Sequence, residues 1–404
     1  MQRIAGVIAE YNPFHNGHAY HLARTKEVSG CAQIIVTLSG SFVQRGEPAA
    51  FDKFQRARWA LLHGADLVLE LPTAFACASA ERFARGGVAL LAATGLISAL
   101  AFGTEHANPA LLQALAFPQL GEDEQRERLA FHLKRGLSYP AAYARAAGDL
   151  DEEAQKAHAL PNNILAVEYL RACKLLAPAI EPIAIARTGA DHDAPAMDGQ
   201  AGFASASALR EAAKQHAFSL LYSATPSDVA AGIEAACRAQ SAPKNADALS
   251  DAILYALRMR TRAQLAELPD VAEGLEATLY EKARSCTGYS DFLFAVKTKR
   301  YTHARLRRIA MHALLGVDKT FFACHPAPRY LRILGVKRSA LPLLAKLAQS
   351  ASLPVVTGYR EYARLDAAAK EQFNLDLFAG ELLAMASPTP EPAQNEFTRP
   401  LLIV

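Results

Sequence analysis

Residues 4–20 read Ile4-Ala5-Gly6-Val7-Ile8-Ala9-Glu10-Tyr11-Asn12-Pro13-Phe14-His15-Asn16-Gly17-His18-Ala19-Tyr20. The first six residues are apolar or small, a short continuous run of the kind a buried parallel strand needs. Residues 20–28 are helix-like, so the chain passes from a strand through a tight turn into a helix start. His15-Asn16-Gly17-His18 sits at that turn. A helix N-terminus offers unpaired N–H groups and partial positive charge to an anion. Gly17 lets the backbone come close to a ligand. Two imidazoles one turn apart can donate hydrogen bonds to a phosphoryl group as its charge redistributes. Two surface histidines in a loop are the plain alternative. Position argues for function, because the C-terminal end of the first strand is where open parallel sheets bind ligands.

Working outward, segments 33–38, 66–71, 99–103 and 182–186 read as strands, and 51–63, 79–93 and 162–176 as helices. Strands separated by helices predict βαβ units and a parallel sheet with right-handed crossovers. The charged helical stretch 121–148 looks inserted between sheet elements. Beyond residue 217 the strand signals fade. Segments 227–239, 247–265, 274–285, 302–315 and 339–350 read as helices, 242–246 as a loop, and 353–356 as one late strand. Residues 387–400 carry four prolines and read as loose. The expectation is an α/β fold: a Rossmann-like parallel-sheet domain over 1–216, then a mainly α-helical C-terminal domain over 217–404.

Composition narrows the function classes. The 404 residues are 51% hydrophobic, and 43 basic against 40 acidic residues give a formal charge of +3. That balance does not announce a nucleic-acid binder, so any basic patch must be local. The six cysteines (31, 77, 173, 237, 286 and 324) show no CxxC spacing and no histidine cluster. Neither a zinc site nor a disulfide framework is expected, and a reducing cytoplasm is the simplest location. No leader peptide is indicated. The most apolar stretch, 88–102, is too short to span a bilayer, so no membrane partner is expected. No oligomeric state follows from the sequence.

Five further segments bear chemistry. Ser39 to Pro48 follows the second strand and is small, polar and Gly-rich. Ser41, Gln44 and Arg45 suit a substrate or phosphate loop there, against the alternative of an ordinary βα loop. Gly103, after the fourth strand, permits close approach of adenine or ribose. Pro161-Asn162-Asn163 opens a helix, where asparagine is equally a plain cap. Arg187-Thr188-Gly189-Ala190-Asp191-His192-Asp193 precedes Ser205-Ala206-Ser207-Ala208-Leu209-Arg210. The hydroxyls of Ser205 and Ser207 and the helix N–H groups can hold phosphate oxygens, with Arg210 bridging them. The Asp/His cluster lacks a third firmly spaced ligand, and no metal site is assigned. Finally, Lys297, Lys299, Arg300, His303, Arg305, Arg307 and Arg308 place seven basic residues in twelve positions. Leu306, Ile309, Ala310, Ala313 and Leu314 make one apolar helix face; Arg305, Arg308 and His312 lie on another. Contact with a nucleic-acid backbone is the functional reading, and a solvated face the bland one.

From the residues alone, three readings stand: an adenylate-forming enzyme acting on RNA, a small-molecule adenylyltransferase without RNA substrate, and a non-catalytic RNA-binding factor with a vestigial nucleotide pocket. The second leaves the helical C-terminal part and its basic run without a task. The third does not require both histidines and the distal arginine.

A strand followed by His-x-Gly-His, with Ser-x-Ser-x-x-Arg near the end of the sheet domain, resembles the nucleotidylyltransferase superfamily. GVIAEYNPFHNGHAYHL, SGSFVQRGEPA, DLVLELP, FGTE, PNNILAVEYL and KTKRYTHARLRR, spread over residues 6–308, together resemble the bacterial tRNA(Met) cytidine acetate ligase family. The resemblance implies a nucleotidylyltransferase-like ATP-binding domain and a helical tRNA-binding domain. It implies that acetate and ATP give acetyl-adenylate, with Mg²⁺ neutralising the leaving pyrophosphate. The acetyl group then passes to N4 of the wobble cytidine of elongator tRNA(Met). His15 and His18 would be catalytic. ATP contacts are implied at Val7, Ile8, Ala9, Glu10, Tyr11, Asn12, Pro13, Phe14, His15, Asn16, Gly17, His18, Ala19 and Tyr20, and at Gly103, Asn163, Arg187 and Thr188. Ser205, Ser207 and Arg210 would add to them. Lys297, Lys299, Arg300, Arg305 and Arg308 would anchor the tRNA. Two departures stand out. The family's aromatic residue before His-Asp is missing in Gly189-Ala190-Asp191-His192-Asp193, and Ser207 replaces a threonine while keeping the hydroxyl.

Overall fold

The computed structural model describes residues 3–105, 108–117, 122–135, 137, 139–146, 157, 160–187, 204–272, 274–393 and 395–404. Its strands are β1 (Ile4–Ala9), β2 (Gln33–Ser39), the short pair β3 (Phe42–Val43) and β4 (Glu47–Pro48), β5 (Leu67–Leu71), β6 (Ile97–Thr104), β7 (Glu181–Ala186), β8 (Leu331–Val336), β9 (Val355–Val356) and β10 (Leu402–Ile403). The main sheet runs β10-β8-β5-β2-β1-β6-β7, with β9 added on β8. Neighbours from β5 to β7 pair parallel, whereas β8 lies antiparallel to β5.

Parallel pairing forces each strand to return through a crossover. Helices Asn16–Ser29, Lys53–Leu62 and Ala80–Ala93 supply the first three. The chain moves outward from β1 to β2 and β5, then crosses back to β6 and β7. This reversal opens a crevice at the C-terminal ends of β1 and β6, the place where such sheets hold ligands.

Strand alternation divides the core between the two faces of the sheet. Ala5, Val7, Ile34, Val36, Leu38 and Val68 pack with Leu22, Trp59, Leu209 and Ile233. Ile4, Ile35, Leu67 and Leu69 pack with Phe83, Leu91, Tyr169 and, from later helices, Ile253, Leu279 and Ile309. The expected α/β class, with a mostly parallel sheet and many helices, is what the chain adopts.

The part from 217 onward is mainly helical but not separate from the sheet, because β8, β9 and β10 extend it beyond β5. The sequence reading anticipated only the short strand near 353–356. It also did not anticipate the long helix Ala367–Met385. The proline-rich tail is held rather than loose, through a buried ring of charges. Lys53 Nζ lies 2.7 Å from Glu70 and 2.8 Å from Glu396, and Arg332 lies 2.9 Å from Glu70 and 2.6 Å from Glu396. Among the described residues no helix is long and apolar enough to cross a membrane.

Candidate active site

The histidine turn is built by its own backbone. Asn12 accepts the Ala50 N–H at 2.7 Å, and Tyr11 sits at φ 47°, a left-handed conformation that side chains rarely adopt. His15 caps the helix Asn16–Ser29, its Nδ1 accepting the Gly17 N–H at 3.1 Å. His18 Nδ1 accepts the His15 N–H at 3.2 Å. The pair forms a capping box in which histidine takes the place usually held by Glu or Gln. The two rings stack with centroids 3.7 Å apart.

These contacts fix the chemistry of both rings. Burial, and secondly the Arg187 guanidinium, push His15 down to about 4. Burial holds His18 well below its ordinary value, with His15, His21 and Arg187 acting the same way. Both imidazoles are therefore neutral near pH 7. A neutral imidazole has one donor and one acceptor nitrogen. Each Nδ1 already accepts a backbone N–H, so each Nε2 carries the proton. The turn thus offers two preset N–H donors beside the N-terminus of a helix.

A cleft of about 500 Å³ opens there, between the ends of β1, β6 and β7. Val7, Ile8, Ala9, Glu10, Tyr11, Asn12, His15, Gly17, His18, Tyr20, Gly103, Arg187, Ser205, Ser207 and Arg210 line it, as do Gln44 and Arg45. Most of the expected nucleotide contacts therefore converge on one cavity of the size that holds small ligands. Ser205 caps its helix by accepting the Ala208 N–H at 3.2 Å. Arg210 donates to the Asn12 carbonyl at 2.8 Å and to Ser207 Oγ at 3.1 Å. It therefore stands between the two phosphate-type turns.

Other expected residues fall elsewhere. Pro13, Phe14, Asn16 and Ala19 do not line the cleft; Phe14 is wholly buried in the core. Ser41 is buried behind the loop. Asn163 is buried too, its Oδ1 accepting the Thr104 hydroxyl at 2.6 Å and the Glu105 N–H at 3.0 Å. Its neighbour Asn162 faces the cavity instead. Thr188, with the Gly-rich run that follows it, lies outside the described residues.

Two residues to which sequence reasoning gave no role hold this wall. Glu105 accepts the Asn162 and Asn163 N–H groups at 3.2 and 3.0 Å, so a carboxylate caps the helix Pro161–Leu176. Arg56 is wholly buried and donates to the carbonyls of Phe51, Glu10 and Ser39 at 2.9, 2.7 and 2.9 Å, and to Gly40. Burial lowers it only to about 10, so it remains charged. It ties the ends of β1 and β2 together. An arginine on an amphipathic helix reads as surface, and nothing local marks it otherwise.

The basic run divides. Lys299 is exposed, and Lys297, Arg300 and Arg305 are half-buried. Arg308 does not face solvent: its Nε lies 2.8 Å from Asp270 Oδ2, and it is almost wholly buried. His312 is likewise buried, its Nε2 2.7 Å from the Cys77 carbonyl. The face predicted to meet RNA is thus covered at these two positions.

The sequence matches the HIGH Nucleotidyl Transferase family over residues 1–397. It is 34% identical to the tRNA(Met) cytidine acetate ligase of Thermoanaerobacter sp. (strain X514) over 402 residues, 99% of each chain. It is 32% identical to that of Acetivibrio thermocellus over the whole of both chains. The crystal structure of Thermotoga maritima TmcAL bound with alpha-thio ATP superposes with a TM-score of 0.89 at 33% identity, covering 99% of each chain. The apo form gives 0.90 at 32% identity, covering 100% of this chain and 99% of the other. Matched over nearly its full length, with its histidine turn lining one cavity, the chain belongs to the HIGH nucleotidyl transferase family and, within it, to the tRNA(Met) cytidine acetate ligases.

Proposed function

We propose that the chain activates acetate with ATP and acetylates N4 of the wobble cytidine of elongator tRNA(Met). An acetate oxygen attacks the α-phosphorus, the bond to pyrophosphate breaks, and acetyl-adenylate forms. The cytidine amine then attacks the acetyl carbonyl carbon, AMP leaves, and the amine loses one proton. The observation that carries this reading is the stacked His15–His18 pair, whose Nδ1 atoms are tied to backbone N–H groups.

No protein nucleophile is needed for the first step; positioning and preset donors suffice. The two Nε2–H groups meet the transferring phosphoryl oxygens. Arg187, Ser205, Ser207 and Arg210 hold the phosphates, and Gly103 leaves room for adenine or ribose. The nucleotide enters as its magnesium salt. The ion then enters with the phosphates, as part of the substrate. The cytidine must unstack to reach the anhydride, which an anticodon loop permits. Lys297, Lys299, Arg300 and Arg305 are the backbone anchors this reading keeps. A cytoplasmic location goes with a tRNA substrate.

The test is mass spectrometry of nucleosides from elongator tRNA(Met) incubated with the chain, ATP, Mg²⁺ and isotope-labelled acetate. Labelled N4-acetylcytidine is the expected product. Acetate-dependent ATP–pyrophosphate exchange without that product would keep the first step and reject the acceptor.

A further inference from the structure

We propose that Glu47 and Arg307 are positioning residues for adenylate formation, acting with no RNA present. The inference rests on the function proposed above. Glu47 belongs to β4 and lines the cleft. Its carboxylate pairs with Arg307 of the helix His303–Leu315 and lies 4.0 Å from Arg210. One acidic group thus connects the arginine that faces the phosphates to a basic helix outside the cavity.

That helix grips the hairpin at two further points. Arg308 Nη1 reaches the Gln44 carbonyl at 3.5 Å. Gly46, at φ +75°, packs so closely that a Cβ there would sit 2.3 Å from the Arg308 nitrogen, which leaves glycine as the residue that fits. From inside the cavity, Glu10 accepts the Gln44 N–H at 2.8 Å. The wall formed by Gln44 and Arg45 is therefore clamped from both sides. Arg307 sets the position of Glu47, and Glu47 sets where the Arg210 guanidinium waits for a phosphate. In sequence, Arg307 belongs to a run that reads as an RNA surface; in the fold it reaches the first chemical step.

The experiment is acetate-dependent ATP–pyrophosphate exchange by the full chain without RNA, for wild type, Glu47→Gln, Arg307→Gln and the double variant. Thermal midpoints are measured alongside. Each single change should lower the exchange kcat by about tenfold with the midpoint unchanged, as small misplacements at a reacting centre do. The double variant should be no worse than the poorer single one, because both break one contact. Arg307→Lys, which keeps the charge, should recover part of the rate and serves where the glutamine variant fails to fold. Unchanged exchange with weakened tRNA binding in Arg307→Gln overturns the proposal, since Arg307 is then an RNA contact only. A lowered midpoint with normal exchange per folded molecule overturns it as well. A wild type without exchange overturns the proposed function, and this inference falls with it.

Discussion

His15 and His18 work as donors through Nε2 only while each Nδ1 keeps its lone pair for the backbone. Protonation would put a hydrogen on Nδ1 facing the Gly17 or His15 N–H and break the helix cap. For His15 the folded-state value, about 4, lies below the unfolded value of about 6.5. The unfolded chain therefore binds more protons between these values, so stability rises with pH across the window and is lost as pH falls through it. His21, also pushed down to about 4 by burial, adds to the same slope. The thermal midpoint should drop between pH 6.5 and pH 4.5, and less steeply in His15→Asn; an unaltered slope would assign the protonation elsewhere. His18→Ala should reduce pyrophosphate exchange by about 10²–10³, the usual effect of removing one preset donor. Filter binding of tRNA should stay near wild type, and its loss beside normal exchange would make the turn a structural feature only. At this scale the sequence was informative at the turn itself, where His15, Gly17 and His18 all line the cleft. It could not separate Asn162 from Asn163, because the choice depends on which way one helix turn faces.

At the scale of elements, the basic helix shows what periodicity leaves out. The apolar face of His303–Leu315 was legible from its 3.6-residue spacing. That the opposite face meets Asp270 and the 42–48 hairpin was not, because those partners are distant in sequence. Breaking the Arg308–Asp270 pair strands a largely covered carboxylate, 21% exposed. Arg308→Ala should therefore destabilise the chain by about 3–5 kcal/mol in denaturant titration, while leaving the salt dependence of tRNA binding alone. Lys299→Glu should do the reverse, with an unaltered denaturation midpoint and a salt slope reduced by about one. If Arg308→Ala instead changed the salt slope, its guanidinium would have to reach phosphate. Helix Ala367–Met385 escaped the sequence reading for a related reason. Ala369, Phe373, Leu375, Ala379 and Leu382 are buried on more than one side, so no single polar face marks it.

For the whole molecule, the five parallel strands were legible because each is a mostly apolar run next to a helix. Strand β8 was not. Leu331–Val336 carries the same kind of run, but it comes after a long series of helices, and its partner β5 lies early in the chain. The charge ring of Lys53, Glu70, Arg332 and Glu396 was equally hidden, since each member alone reads as a surface residue. Glu396→Gln leaves two buried cations with one full partner. It should lower stability by about 3–5 kcal/mol, while exchange per folded molecule remains normal. A wild-type denaturation midpoint would mean the ring contributes nothing.

The place of β8 also bears on how the protein is made. A ribosome delivers β5 early, with its outer edge open, and the strand that covers that edge comes much later. For most of translation the nascent sheet carries an unpaired, apolar border, the feature that recruits neighbouring chains into aggregates. The nucleotide-type turn is thus synthesised long before the strand that closes the sheet beside it. Any truncated message ending before residue 331 yields a product that lacks the strand covering that border.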